Sequence, residues 1–204
     1  MLPDSRPCES PLFGVEALLQ DELREHRESF EATARMLSVP FGEALEILER
    51  GLRRGGKLLT FGNGGSAADA QHIAAELTIR YQANRAPISA IALTTDLCAL
   101  TACANDMGFD AVFARQIEGL GRQHDVALGI STSGNSANVL KGLSQATAMG
   151  LKTVGLTGGT GGQMHGLCDA LIVVPSTATA RIQEMHIMIG HVLCKSLEQR
   201  LGLV

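Results

Sequence analysis

The chain has 204 residues, 45% of them hydrophobic and 19% charged, with a net charge of −4. That length suits one domain carrying a substantial core. The negative balance argues against a duplex-DNA binder that works by neutralising phosphates, and one Tyr and no Trp leave few platforms for stacking single-stranded bases.

Residues 1–13 hold three prolines and read as a loose tail. They lack a basic segment followed by an apolar one, so no secretory signal is expected, and no apolar run reaches the roughly 18 residues that span a bilayer. A cytoplasmic protein is the expectation. Five cysteines at positions 8, 98, 103, 168 and 194, with no C-x-x-C pair, fit reduced thiols rather than a disulfide or zinc–cysteine framework.

From Val15 to Leu37 the apolar spacing is helical, with Leu18, Leu19, Leu23 and Phe30 on one stripe. A second helix is expected over Phe41–Arg54, separated from the first by Pro40. The pair would form an N-terminal helical arm (14–54), and its apolar stripes need a covering surface. After Gly55-Gly56 the texture changes. Strands are expected at 57–61, 89–93, 126–130, 152–156 and 170–174. Helical patterns lie near 67–80, 97–105, 110–119 and 136–149, and a long closing helix near 179–201. Short strands alternating with helices predict an α/β domain, a parallel sheet with helices on both faces. In such sheets ligands bind beyond the carboxyl ends of the strands.

Two strands run into loops of similar chemistry. One is Gly62-Asn63-Gly64-Gly65-Ser66; the other is Ser131-Thr132-Ser133-Gly134-Asn135-Ser136. Each joins a strand to a helix N-terminus, where free N–H groups and the helix dipole favour an anion. Neither is a Walker A or a dinucleotide fingerprint. Helix capping by Ser66 and Ser136 would explain one hydroxyl per loop. It leaves the cluster of Ser131, Thr132 and Ser133 unexplained, so phosphate binding is preferred. A third glycine-rich loop, 158–162, reads as a plain turn.

His72 and Glu76 stand at i and i+4 and share one helix face, so they can share a divalent metal. Gln183 and His191 are eight residues apart, about 12 Å along a straight helix. To meet on one ion, one of them must come from another subunit, or the helix must be distorted. His186 lies between them and is either a packing residue or a substitute ligand. His26, His124 and His165 have no supporting constellation and read as surface residues.

These segments together resemble the SIS (sugar isomerase) family. The resemblance narrows to phosphoheptose isomerases through Ala70-Gln71-His72-Ile73-Ala74-Ala75-Glu76-Leu77, Asn105-Asp106-Met107-Gly108-Phe109 and Arg181-Ile182-Gln183-Glu184-Met185-His186, with His191 beyond. It covers the chain from about residue 15 onward. It implies a doubly wound five-stranded parallel sheet, a single SIS domain over 14–204, and a homotetramer with active sites at subunit interfaces. It implies isomerisation of sedoheptulose 7-phosphate to a manno-heptose 7-phosphate for bacterial surface heptose and lipopolysaccharide. It also implies one Zn2+ per site, held by His72, Glu76, Gln183 and His191, with Glu76 and His191 as the catalytic pair. Substrate contacts carried over are Asn63, Gly64, Gly65, Ser66, Glu76, Asn105, Asp106, Ser131, Thr132, Ser133, Ser136 and Gln183. Neither nucleic acid nor membrane is an implied partner. Ala180 departs from the family's usual Asp. The alternative is a non-catalytic SIS protein that binds a sugar phosphate or the replication initiator; as a relative it lacks the glutamate and distal histidine present here.

Overall fold

The computed structural model describes residues 13–204, so the expected tail falls outside the described residues except for Phe13, which opens the first helix. Two helices come first, α1 (Phe13–Met36) and α2 (Ser38–Arg53). The break between them is at Leu37, not at Pro40. Pro40 sits in the first turn of α2, where a proline costs little because the early N–H groups have no partner inside the helix.

The sheet follows: β1 (Leu58–Gly62), α3 (Gly65–Thr78), β2 (Ala90–Ala92), α4 (Leu97–Met107), α5 (Val112–Leu120), β3 (Val126–Ser131), α6 (Ala137–Ala148), β4 (Lys152–Gly158), β5 (Ala170–Val174) and α7 (Thr179–Arg200). All strand pairs are parallel and the order is β2-β1-β3-β4-β5. This is the doubly wound arrangement expected, with its switch point between β1 and β3. The two anion-type loops leave the sheet on either side of that point.

Alternation along the strands builds two cores. Leu58, Val126, Leu128, Val154 and Ile172 face α2, α3 and α7. Leu59, Phe61 and Ala127 face α5 and α6, with Phe113, Val139 and Leu143 opposite them. Strands β1 and β3 are buried at every position, as a sheet covered on both faces requires. Cys103 and Cys194 are buried thiols, Cys168 is half-buried, and Cys98 is exposed. No described helix is long and apolar enough to cross a membrane.

Candidate active site

The serine loop leaves β3 at Ser131 and enters α6 at Ala137. Ser136 occupies the N-cap position, yet its hydroxyl makes no capping bond. It lies 3.0 Å from the Ser131 hydroxyl, which is 3.5 Å from that of Ser133. Ser66 is no cap either: α3 is entered through Gly64, at φ 54, with no side-chain cap. The hydroxyls are therefore not consumed in holding helix ends. Three oxygens gathered at a helix N-terminus suit a multivalent anion such as a phosphate.

The third glycine-rich loop does more than turn the chain. The Gly158 N–H donates to the Thr132 carbonyl at 3.1 Å, and the Gln163 N–H donates to the Asn135 side-chain oxygen at 3.1 Å. Gly134 has φ 66, and a Cβ there would overlap the Gly161 carbonyl oxygen. Close backbone approach thus braces the serine loop from behind, which requires glycine at that point. Beside it a cavity of about 750 Å3 opens between Thr132, Ser133, Thr160, Ser176, Thr179 and Ile182.

A second cluster lies along the flank of α3 and α7. His72 Nε2 is 3.2 Å from Glu76 Oε1 and 3.0 Å from His191 Nε2. One ligand atom from each lies within 4.8 Å of the other two. Four ligands about 2.0–2.1 Å from a tetrahedral zinc stand about 3.3 Å apart, so these two edges are close to those of a metal site. Two imidazoles and a carboxylate are donors that zinc accepts. Tyr81 stacks on His191 with ring centroids 5.3 Å apart, fixing the imidazole plane.

Gln183 lies eight residues before His191 on α7. α7 is a continuous α-helix over both positions, which removes helix distortion as an explanation. The Gln183 amide packs over Gly65 at the start of α3, and His72 follows Gly65 by seven residues, about 10 Å along the axis. His186 is a packing residue, not a ligand. It is fully buried, with Nε2 3.1 Å from the Thr157 carbonyl oxygen and Nδ1 unpartnered. Burial pushes its pKa down to about 4, against the opposing effect of that backbone hydrogen bond, so the ring is the neutral tautomer donating from Nε2. Asn105 and Asp106 lie exposed at the end of α4, bonded to each other at 2.8 Å, and are not in the wall of the cavity beside Ser133. His26 was expected to stand alone; its Nδ1 is 2.7 Å from Glu184 Oε2.

The sequence reading missed two residues of the site. Asn138, 2% exposed, exchanges two hydrogen bonds with Asn63. Asp69, on α3 between Ser66 and His72, has a buried Oδ2 with no partner; burial raises its pKa to about 6, with His72 pulling the other way. A buried amide at the start of a helix carries no signal in spacing, and Asp69 resembles any polar helix residue.

The SIS domain family matches residues 23–158. The phosphoheptose isomerase of Paramagnetospirillum magneticum is 54% identical over 180 residues, 88% of this chain and 94% of that protein. The chain belongs to the phosphoheptose isomerase family of SIS domain proteins. The Helicobacter pylori (strain P12) phosphoheptose isomerase is 49% identical over 185 residues, 91% of this chain and 96% of its own. The solved phosphoheptose isomerase from Neisseria gonorrhoeae superposes with a TM-score of 0.85 at 41% identity, covering 91% of this chain and 99% of that one. Family membership makes the chain a sugar-phosphate isomerase of the aldose–ketose type, as the resemblance implied.

Proposed function

We propose that the chain converts D-sedoheptulose 7-phosphate to D-glycero-D-manno-heptose 7-phosphate, in the cytoplasm, for bacterial surface heptose and lipopolysaccharide. The observation that carries this reading is the meeting of His72, Glu76 and His191 from two distant helices, in a chain whose serine-loop hydroxyls are not used as helix caps. A non-catalytic sugar-phosphate binder needs the hydroxyls and has no use for the acid–imidazole cluster.

The Ser131–Ser136 loop holds the phosphate, far from the reacting carbons. That binding energy orients the sugar and lowers the cost of reaching the transition state. Glu76 takes a proton from the carbon beside the carbonyl, giving an enediol, and returns it to the neighbouring carbon. His191 moves the oxygen-bound proton, with Tyr81 fixing its ring. His72, Glu76 and His191 would hold Zn2+, which supplies polarisation of the sugar carbonyl when bound.

The cluster stands on a helix flank and does not line the cavity beside Ser133. This supports a homotetramer with active sites at subunit interfaces, in which Gln183, Asn105 and Asp106 reach the substrate from a neighbouring copy. Exposed Ile79 and Val192, beside the cluster in sequence, and the bare apolar face of α1 suit such contacts. Incubation with sedoheptulose 7-phosphate and zinc, followed by detection of heptose 7-phosphate, tests the reaction. Absence of product with the wild-type protein would sink it. Undiminished activity in Glu76→Gln would remove the proton-transfer role alone.

A further inference from the structure

The two anion-type loops belong to different strand–helix units. Strands β1 and β3 pair in parallel up to Gly62 and Ile130, and then their chains part into α3 and α6. Beyond the sheet, the gap at the switch point is spanned by a pair of side-chain amides. Asn63 Nδ2 donates to Asn138 Oδ1 at 2.8 Å, and Asn138 Nδ2 donates to Asn63 Oδ1 at 2.9 Å. Asn63 is the first residue after β1, and Asn138 is the second residue of α6, directly behind the serine loop.

Burying amides is costly unless they are paired. Two apolar side chains would close the same gap at less cost in desolvation, but they would tolerate many geometries. A reciprocal amide pair accepts one geometry only, because each donor must face the other's acceptor. The pair also occupies one donor and one acceptor site of the Asn63 side chain. The first loop offers its backbone at Gly64 and Gly65, where α3 begins with unpaired N–H groups and no side-chain cap.

We propose that Asn138 is a positioning residue that docks the glycine loop after β1 onto the serine loop after β3, so that the two form one rigid cradle for the substrate phosphate. This deepens the proposed function and rests on its reading of the serine loop as the phosphate site. Asn138 touches no substrate; it acts through Asn63 and through the start of α6.

The test uses the full-length protein, with inorganic phosphate as probe in calorimetry and as competitor of the isomerase reaction. In Asn138→Ala, loss of the paired hydrogen bonds should weaken phosphate binding and raise KM on the order of tenfold or more, with a smaller fall in kcat. Asn138→Asp provides a readout that fold integrity does not. A protonated carboxyl can donate and accept as the amide does. The ionised form has no donor and turns an oxygen towards Asn63 Oδ1. Burial at this position raises the pKa of the introduced carboxyl, so phosphate affinity of Asn138→Asp relative to wild type at the same pH should be highest near pH 4 and fall roughly tenfold by about pH 8. Circular dichroism checks that each variant is folded. Wild-type phosphate affinity in Asn138→Ala, or a flat pH ratio in Asn138→Asp, overturns the proposal, as does a wild-type protein that binds no phosphate. A wild type that binds phosphate but makes no heptose phosphate sinks the proposed reaction and still leaves Asn138 to be decided by calorimetry.

Discussion

Arg85 should be among the residues whose loss costs this fold most. Its side chain is fully buried, and its partner Glu198 is 3% exposed. The guanidinium donates to Glu198 Oε1 at 2.8 Å, to the Leu77 and Ala86 carbonyls at 2.7 and 3.0 Å, and to the Glu76 carbonyl at 2.9 Å. It thereby ties the end of α3, which carries Glu76, to α7. Arg85→Ala leaves a buried carboxylate with the Tyr81 N–H at 3.1 Å as its remaining hydrogen bond, and strips the last carbonyls of α3. Breaking one side of a buried ion pair costs about 3–5 kcal/mol, against a total stability of about 5–15 kcal/mol. Urea unfolding at fixed protein concentration measures the loss. The double variant Arg85→Met/Glu198→Leu removes both charges and should recover most of it, because no uncompensated charge remains. A loss below about 1 kcal/mol in Arg85→Ala, or a double variant no better than the single one, would refute the reasoning.

Further expectations concern other parts of the molecule. His186 is neutral when folded and has a pKa near 4, whereas unfolded it would titrate near 6.5. Between those values the unfolded state binds more protons, so stability is full above about pH 6.5 and is lost as pH falls towards about 4, by up to about 3 kcal/mol. His186→Leu should remove that part of the slope in urea titrations across the range. Asp69 acts with the opposite sign: its raised pKa makes its ionised form a burden at neutral pH, so metal-free Asp69→Asn should gain stability above about pH 6, read by thermal unfolding. Gly134→Ala forces a Cβ onto the Gly161 carbonyl at a positive φ, and should weaken phosphate binding roughly tenfold or more by calorimetry. His72→Ala removes the residue that touches both other members of its cluster, and should lower zinc bound per chain in equilibrium dialysis by an order of magnitude or more.

The alternation of short apolar strands with helical stretches was enough to predict the parallel sheet, because burial on both faces leaves a plain compositional mark. The serine loop was legible for a similar reason: four hydroxyls in six residues exceed what capping needs. His72 and Glu76 could be paired by helical spacing, and the eight-residue gap from Gln183 to His191 could be read as about 12 Å along one helix. Other features left no local trace. Pro40 looks like a break, but a first-turn position tolerates it. The third glycine loop reads as a turn, and only packing shows that it braces its neighbour. Asn138 and Asp69 matter through residues far off in the chain, and Arg85 through Glu198, 113 residues away. Such pairings depend on the register of elements, which local periodicity does not encode.

Deuterium incorporation is the most direct probe of the carbon chemistry assigned to Glu76. With the wild-type protein and sedoheptulose 7-phosphate in D2O, proton transfer through a carboxylate that exchanges with solvent should place deuterium at C2 of the aldose over repeated turnovers, visible by NMR, and Glu76→Gln should abolish it. Heptose 7-phosphate formed with no deuterium at carbon, or exchange undiminished in Glu76→Gln, would contradict the account.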